Sequence, residues 1–273
     1  MNDRRAFFRT LASAAHDVAT ADQAAPAVEP PDTTGPWLDR YSRQLVLPEW
    51  SEAAQRALAS SSVLVVGAGA LGSPVAFYLA GAGVGRLGIV DDGDVELSNL
   101  HRQHLHFTPD IGAPKARSAA SKLAFLNPDI VVEPYRAAFT PAMVDGQDLI
   151  VDCTDSFAAR YAVNAACCAA SVALVEAGVV GLTGLVMAIR PGETACYRCA
   201  FPAEPVDAPS CAEAGVLGPA AGVVGSLQAL EALKLLAGLP ALTDAFLQLD
   251  LATLDVLRVS VARRPGCPDC RAA

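Results

Sequence analysis

Short apolar runs alternate along the chain with longer stretches of helical periodicity. Val63-Leu64-Val65-Val66 runs into Gly67, and Leu87-Gly88-Ile89-Val90 runs into Asp91; Asp129 to Glu133, Leu149-Ile150-Val151 and Val172 to Val175 follow. Strands that are apolar at consecutive positions are buried on both faces, so this pattern predicts a parallel sheet with helices on either side. The tail differs. Phe246-Leu247-Gln248-Leu249 and Val256-Leu257-Arg258-Val259 flank a short turn, which predicts an antiparallel pair ending the same sheet. Between these regions Val223, Leu227, Leu230, Leu233 and Leu236 recur at helical spacing, an amphipathic helix that Gly238 and Pro240 would stop. The two longest apolar stretches, Val172 to Ile189 and Val216 to Leu239, are interrupted by Glu176 and Thr183 and by Gln228, Glu231 and Lys234. Neither reads as a membrane span.

Residues 1–36 stand apart as an extension and linker, leaving 37–273 as the folded domain. Arg4-Arg5-Ala6-Phe7-Phe8-Arg9 resembles a twin-arginine export signal, but His16, Asp17 and Asp22 follow and no apolar core does. Phe7, Leu11, Ala14, Ala15 and Val18 share one helical face, and Pro26, Pro30, Pro31 and Pro36 mark the linker.

With 273 residues, 52% hydrophobic and 18% charged, the chain can bury a full core and is too apolar to be disordered. Twenty basic against 29 acidic residues leave a net charge of -9, which opposes binding to nucleic acid or an anionic membrane. Any anionic ligand needs a local site. One is offered by Gly67-Ala68-Gly69-Ala70-Leu71-Gly72, directly after the first strand and opening a helix, with Asp91 ending the next strand 24 residues after Gly67. Glycines in that setting let backbone approach phosphate, and the acidic residue suits ribose hydroxyls.

Two further segments add charge. Ser98-Asn99-Leu100-His101-Arg102-Gln103 brings a cation and two amides towards the phosphates, and Lys115 starts a helix after Pro114. Arg102 and Lys115 are what nucleotidyl transfer needs, because charge builds up on the α-phosphate and departing pyrophosphate. A nicotinamide oxidoreductase would explain the glycine loop and Asp91 but leaves both cations without purpose. Asp152-Cys153-Thr154-Asp155 follows an apolar strand, where α/β enzymes place functional loops, and Asp155 could bind Mg²⁺.

Cys196 and Cys199 form one C-x-x-C and Cys267 and Cys270 another, with 67 residues between the doublets. Two such doublets suit a tetrahedral structural Zn²⁺ that clips the C-terminus onto mid-chain; two disulfides or a redox C-x-x-C are the alternatives. Zinc thiolates point to a reducing compartment, the cytoplasm. Cys153, Cys167 and Cys168 fall in strand or helix patterns and read as small core residues. The predicted fold is therefore α/β: a Rossmann-like, mostly parallel sheet with helices on both faces, antiparallel C-terminal strands and a Cys₄ zinc clip.

From Asp39 to Cys270 these motifs, with Arg40-Tyr41-Ser42-Arg43-Gln44, Gly112-Ala113-Pro114-Lys115, Arg160 and Asn164, and Cys211 to Pro219, resemble the ubiquitin-activating-type adenylyltransferases of bacterial sulfur transfer. The resemblance implies adenylation, by ATP, of the C-terminal Gly-Gly carboxylate of a small ubiquitin-like sulfur-carrier protein, giving acyl-adenylate and pyrophosphate. The molybdenum-cofactor type is the first expectation; the thiamine type and a non-catalytic, partner-binding member are the alternatives. It also implies roles. Gly67, Gly69 and Gly72 shape the nucleotide loop, Asp91 holds the ribose, Asn99, Arg102, Gln103 and Lys115 meet phosphates, and Asp155 positions Mg²⁺. Arg43 is similar to an arginine supplied across a homodimer interface. Cys211, in a Pro-rich loop, matches a cysteine that some members use for covalent chemistry and others do not need. Ser156 stands where the family commonly has Asn, and the absence of an appended rhodanese domain after Cys270 implies a separate sulfur donor.

Overall fold

The computed structural model describes residues 35–204 and 215–270. An eight-stranded sheet runs in the order β3-β2-β1-β4-β5-β6-β7-β8. Its parallel part is β1 (Ser62–Val66), β2 (Arg86–Val90), β3 (Val131–Tyr135), β4 (Leu149–Asp152) and β5 (Ala173–Val180); β6 (Thr183–Ile189), β7 (Ala245–Asp250) and β8 (Asp255–Ser260) continue antiparallel. The mostly parallel sheet and the antiparallel tail expected from the sequence are both present.

Strand geometry sends successive side chains to opposite faces, and two cores result. Val63 and Val65 of β1 join Leu149 and Val151 of β4 on one face, beneath α2 (Glu52–Ser60), α3 (Gly72–Ala82), α4 (Lys115–Leu126) and α7 (Gly218–Leu236). Leu64, Val66 and Ile150 face the other way, towards α5 (Phe157–Ala170) and the short α6 (Tyr197–Ala200). Before the sheet, α1 (Pro36–Leu45) starts with Pro at its first turn and buries Trp37 and Tyr41; the Tyr41 hydroxyl accepts from Asn127 Nδ2 at 2.8 Å. No helix among the described residues is long and apolar enough to cross a membrane.

Three elements depart from the expectations. The third strand begins at Val131, not Asp129, because Asn127 and Asp129 are engaged in a turn, the Asp129 N–H donating to Asn127 Oδ1 at 3.2 Å. Its Pro134 is tolerated because β3 is an edge strand. The apolar stretch from Val172 to Ile189 is a hairpin of β5 and β6 that turns at Gly181, whose φ is +59°. The C-terminal helix is also rotated relative to the stripe that its periodicity suggested. Ala220, Ala221, Val224, Gln228 and Ala232 are buried, whereas Val223 and Leu230 are about half exposed. Small residues decide this, since a side chain at Gly225 would collide with Pro74 of α3. The predicted helix at Phe7 to Val18 lies outside the described residues, as does the rest of the N-terminal extension through residue 34.

Candidate nucleotide and metal sites

The chain passes from β1 outward through β2 to β3, then returns to β4 on the other side of β1. At that reversal the helix connections diverge and leave a crevice at the carboxyl ends of the strands. A cavity of about 560 Å³ occupies it, lined by Gly67, Gly69, Asp91, Arg102, Gln103, Lys115, Cys153, Thr154, Asp155 and Arg160 among others.

The glycine loop owes its shape to two close approaches. Gly67 has φ +98° and packs against the Cys153 carbonyl, where a Cβ would stand 2.9 Å from the oxygen. At Gly72 a Cβ would overlap the Gly67 carbonyl, so Gly72 closes the loop from beneath and is not on the cavity wall. No side chain caps α3. Its first turn is nonetheless closed: Ser73 N donates to the Gly69 carbonyl at 3.0 Å, Pro74 has no N–H, and Val75 N donates to the Leu71 carbonyl at 3.2 Å, so it is the glycine loop that borders the cavity. Asp91 holds the loop as well as facing the cavity: Oδ2 accepts from Ala68 N and Oδ1 from Gly93 N, both at 2.8 Å.

His106 supports the same loop, a role its isolated appearance in the sequence did not announce. It is buried, with Nε2 2.9 Å from the Ala68 carbonyl and Nδ1 2.9 Å from Ser118 Oγ. A carbonyl only accepts, so Nε2 carries the proton. Burial pushes the imidazole pKa down, keeping it neutral.

Arg102 and Lys115 both reach the cavity, and neither forms an ion pair among the described residues. Arg102 donates to the Ser98 carbonyl at 2.8 Å and lies 2.7 Å from His101 Nε2. Gln103 is buried with Oε1 unpartnered. Asn99 sits off the cavity wall: buried in the turn over Leu97–Asn99, it accepts from Glu96 N through Oδ1 at 3.3 Å. Asp155 is exposed at the opposite wall, just before Ser156, whose Oγ caps α5 by accepting from Ala159 N at 3.2 Å. Serine caps a helix as well as asparagine does, so the departure at this position keeps the helix start intact. Arg43 is exposed on α1 and does not reach the cavity of its own chain. Cys211 lies outside the described residues.

Two residues missed from sequence stitch the site from behind. Gln228, fully buried on α7, donates to the Asp152 and Val175 carbonyls at 2.6 and 3.2 Å, tying β4 to β5. Glu176, in the middle of β5, is paired in register with Asp152.

The four cysteines of the two doublets come together as expected. Cys196–Cys199, Cys196–Cys267 and Cys199–Cys270 Sγ separations are 3.8, 3.7 and 3.5 Å, and all four Sγ lie within 4.8 Å of one another. A tetrahedron with Zn–S bonds of about 2.3 Å has edges of about 3.8 Å, so the donor set fits Zn²⁺. Burial raises the Cys267 thiol, but the amides of Cys270 and Asp269 and the Cys270 thiol outweigh it and bring it to about 7. Around the cluster, Asp269 accepts from Asn164 Nδ2 at 2.7 Å and from Arg198 Nε at 2.9 Å. Arg198 in turn stacks 4.2 Å over the Tyr161 ring. Of the remaining cysteines, Cys167 and Cys153 are buried core as expected, and Cys153 also borders the cavity.

The chain is similar to proteins of known activity. Over 236 residues the chain is 43% identical to the sulfur carrier protein ThiS adenylyltransferase of Escherichia coli, covering 85% of this chain and 94% of that protein. It is 42% identical to the molybdopterin-synthase adenylyltransferase of the same organism, covering 85% and 95%. It is 46% identical to the pig (Sus scrofa) adenylyltransferase and sulfurtransferase MOCS3, of which it spans only 52%. Among solved structures, Escherichia coli MccB with ATP superposes with a TM-score of 0.76 at 23% identity, covering 85% of this chain and 74% of that one, a likeness of fold. Residues 41–269 match the ThiF family, and with those relatives at more than 40% identity the chain belongs to it.

Proposed function

We propose that this protein adenylates the C-terminal Gly-Gly carboxylate of a small ubiquitin-like sulfur-carrier protein. The observation that carries the reading is a pair of unpaired cations, Arg102 and Lys115, facing a cavity at the sheet's reversal point, with the acidic Asp155 across it. A carboxylate and a triphosphate repel each other, and fixed positive charge in a partly dry cleft offsets that repulsion at the moment of attack. The carrier's carboxylate attacks the α-phosphorus of ATP, a C–O–P bond forms, and pyrophosphate leaves with the electron pair of the broken P–O bond. Asp91 and the loop at Gly67, Gly69 and Gly72 orient the nucleotide, and Gln103 lines the same cavity. Asp155, a hard oxygen donor exposed on the wall, would hold Mg²⁺, which supplies further charge neutralisation at the phosphates.

The relatives of the molybdenum-cofactor and thiamine types are equally similar, so carriers of either pathway are candidate substrates, the former being our first choice. ATP–pyrophosphate exchange decides: exchange with one carrier, abolished by removing its Gly-Gly tail, is the expected outcome. No exchange with any such carrier, from metal-loaded protein, would leave a partner-binding role instead.

The position of Arg43 supports a homodimer. Phe77 and Tyr78 of α3 and Val223 and Leu230 of α7 form an exposed apolar groove of about 730 Å³, which opens beside His104 and Leu105 next to Gln103. The same face continues along Leu233 to Gln44, the neighbour of Arg43. A second copy seated there by two-fold symmetry would carry its Arg43 towards this chain's cavity. Co-expressed R43A and D155A protomers are then expected to recover about a quarter of wild-type exchange, because half the dimers hold one intact site. Recovery no better than the mean of the two single variants would place Arg43 outside the partner's site.

A further inference from the structure

Glu176 is out of character in β5: its neighbours Val175 and Ala177 are apolar and it is itself 0% exposed. Isolated burial of a carboxyl group is costly, so what it touches matters. Its Oε1 stands 3.3 Å from Nε of Arg160, whose side chain is 11% exposed. Arg160 lines the cavity, and its Nη2 donates to the Thr154 carbonyl at 3.3 Å, one residue before Asp155. On the other side Thr154 N donates to Asp152 Oδ1 at 2.9 Å. Gly178 leaves the room this requires, since a Cβ there would stand 2.7 Å from Arg160 Nη1. We propose that Glu176 is a positioning residue for adenylation: through Arg160 it fixes the Thr154 carbonyl and so sets where Asp155 stands on the cavity wall. This rests on the adenylation reading given above.

The cluster needs a proton of its own. Neither Glu176 oxygen nor Asp152 Oδ2 has a hydrogen-bond donor. The two carboxyls face one another across β4 and β5, so a proton held by Glu176 and directed at Asp152 completes the set, leaving one carboxylate against one guanidinium. Around them stand Tyr197 on α6, Cys167 on α5 and Cys153 after β4, all neutral at ordinary pH because burial raises each. Burial first and then Asp152 push the Glu176 pKa well up. Since the folded pKa exceeds the unfolded one, the stabilising contribution is complete below the ordinary carboxylate range and is lost as pH rises through the folded value.

The test compares wild type, E176Q and E176A in carrier-dependent exchange against Mg·ATP concentration and pH, and in thermal unfolding of the nucleotide-free protein against pH. E176A is expected to lose about ten-fold or more in kcat/KM, with KM for Mg·ATP raised, from a misplaced Asp155. E176Q keeps both polar contacts without a titratable proton. It should stay within about three-fold of wild type near neutral pH and lose the alkaline decline of wild type in both exchange and melting temperature. Wild-type kinetics in E176A, or pH profiles of E176Q that superimpose on wild type, would overturn the assignment. If E176A fails to fold, the E176Q profiles decide alone. Absence of exchange in wild type would sink the adenylation reading and this role with it; exchange that is present and indifferent to both substitutions sinks this role only.

Discussion

Arg102→Ala is expected to lower ATP–pyrophosphate exchange by about 10³-fold, the scale on which a single arginine stabilises phosphoryl-type transition states. The fold should hardly notice. Arg102 is partly exposed, its bonds are to the Ser98 carbonyl and His101, and it joins no ion pair, so its loss costs about 0.5 kcal/mol and shifts the melting temperature by about 2 °C or less. Lys115→Ala should behave alike, because Lys115 begins α4 through its backbone, Lys115 N donating to the Gly93 carbonyl at 3.0 Å, a bond alanine keeps. The loss should appear in kcat as much as in kcat/KM, since charge develops on the phosphates only as the bond forms. In the double variant the losses should fall short of multiplying, two cations facing one charge being a unit. Exchange in Arg102→Ala within ten-fold of wild type, from protein with an unchanged melting temperature, would remove Arg102 from the reaction and reopen the site assignment.

What could be read from the sequence here was whatever is local. The strands ending at Gly67 and Asp91 announce themselves because a parallel strand buried on both faces is a continuous apolar run, and the glycine loop is one turn long. The cysteine doublets are legible for the same reason: each puts two thiolates within a single turn, and only their meeting is long-range. Whatever depended on register or on helix rotation was not legible. Glu176 reads as an interruption in an apolar stretch until β4 and β5 are paired and Asp152 stands opposite it. The stripe from Val223 to Leu236 has the period of a buried face, but Gly225 and the alanines let α7 approach α3 on its other side, leaving Val223 and Leu230 facing outward and Leu227, Leu233 and Leu236 only partly buried. Asn99 shows the same limit at short range. Its side-chain oxygen helps close the turn that presents Arg102, a use its place in the motif did not announce.

Stripping the metal from Cys196, Cys199, Cys267 and Cys270 should have the second-largest effect, and on stability first. Beyond Val261, whose N–H donates to the Asp244 carbonyl, the segment after β8 is tied down by this cluster and by Asp269, and four thiols packed within 4.8 Å have little reason to stay together unless an ion binds them. Structural zinc contributes its binding free energy to folding; discounting the large values found for isolated fingers, a loss of about 3 kcal/mol or more is expected, or roughly 10 °C in melting temperature. Acid should weaken the site as well, because protons compete with the metal for thiolates. Activity should follow stability by a visible route. Tyr197 lies between Cys196 and Cys199, its N–H donates to Asn164 Oδ1 at 3.0 Å, and the Asn164 Nδ2 donates to Asp269, so a metal bound by the four cysteines would fix the residue that packs beside Arg160 beneath the cavity. Cys267→Ser and chelator-treated protein should therefore release the C-terminal segment to protease and lose exchange together, both reversed by Zn²⁺ only in the chelated wild type. A melting temperature unchanged after metal loss verified by elemental analysis would show that the cluster holds itself together by packing, and would remove zinc from the account of this fold.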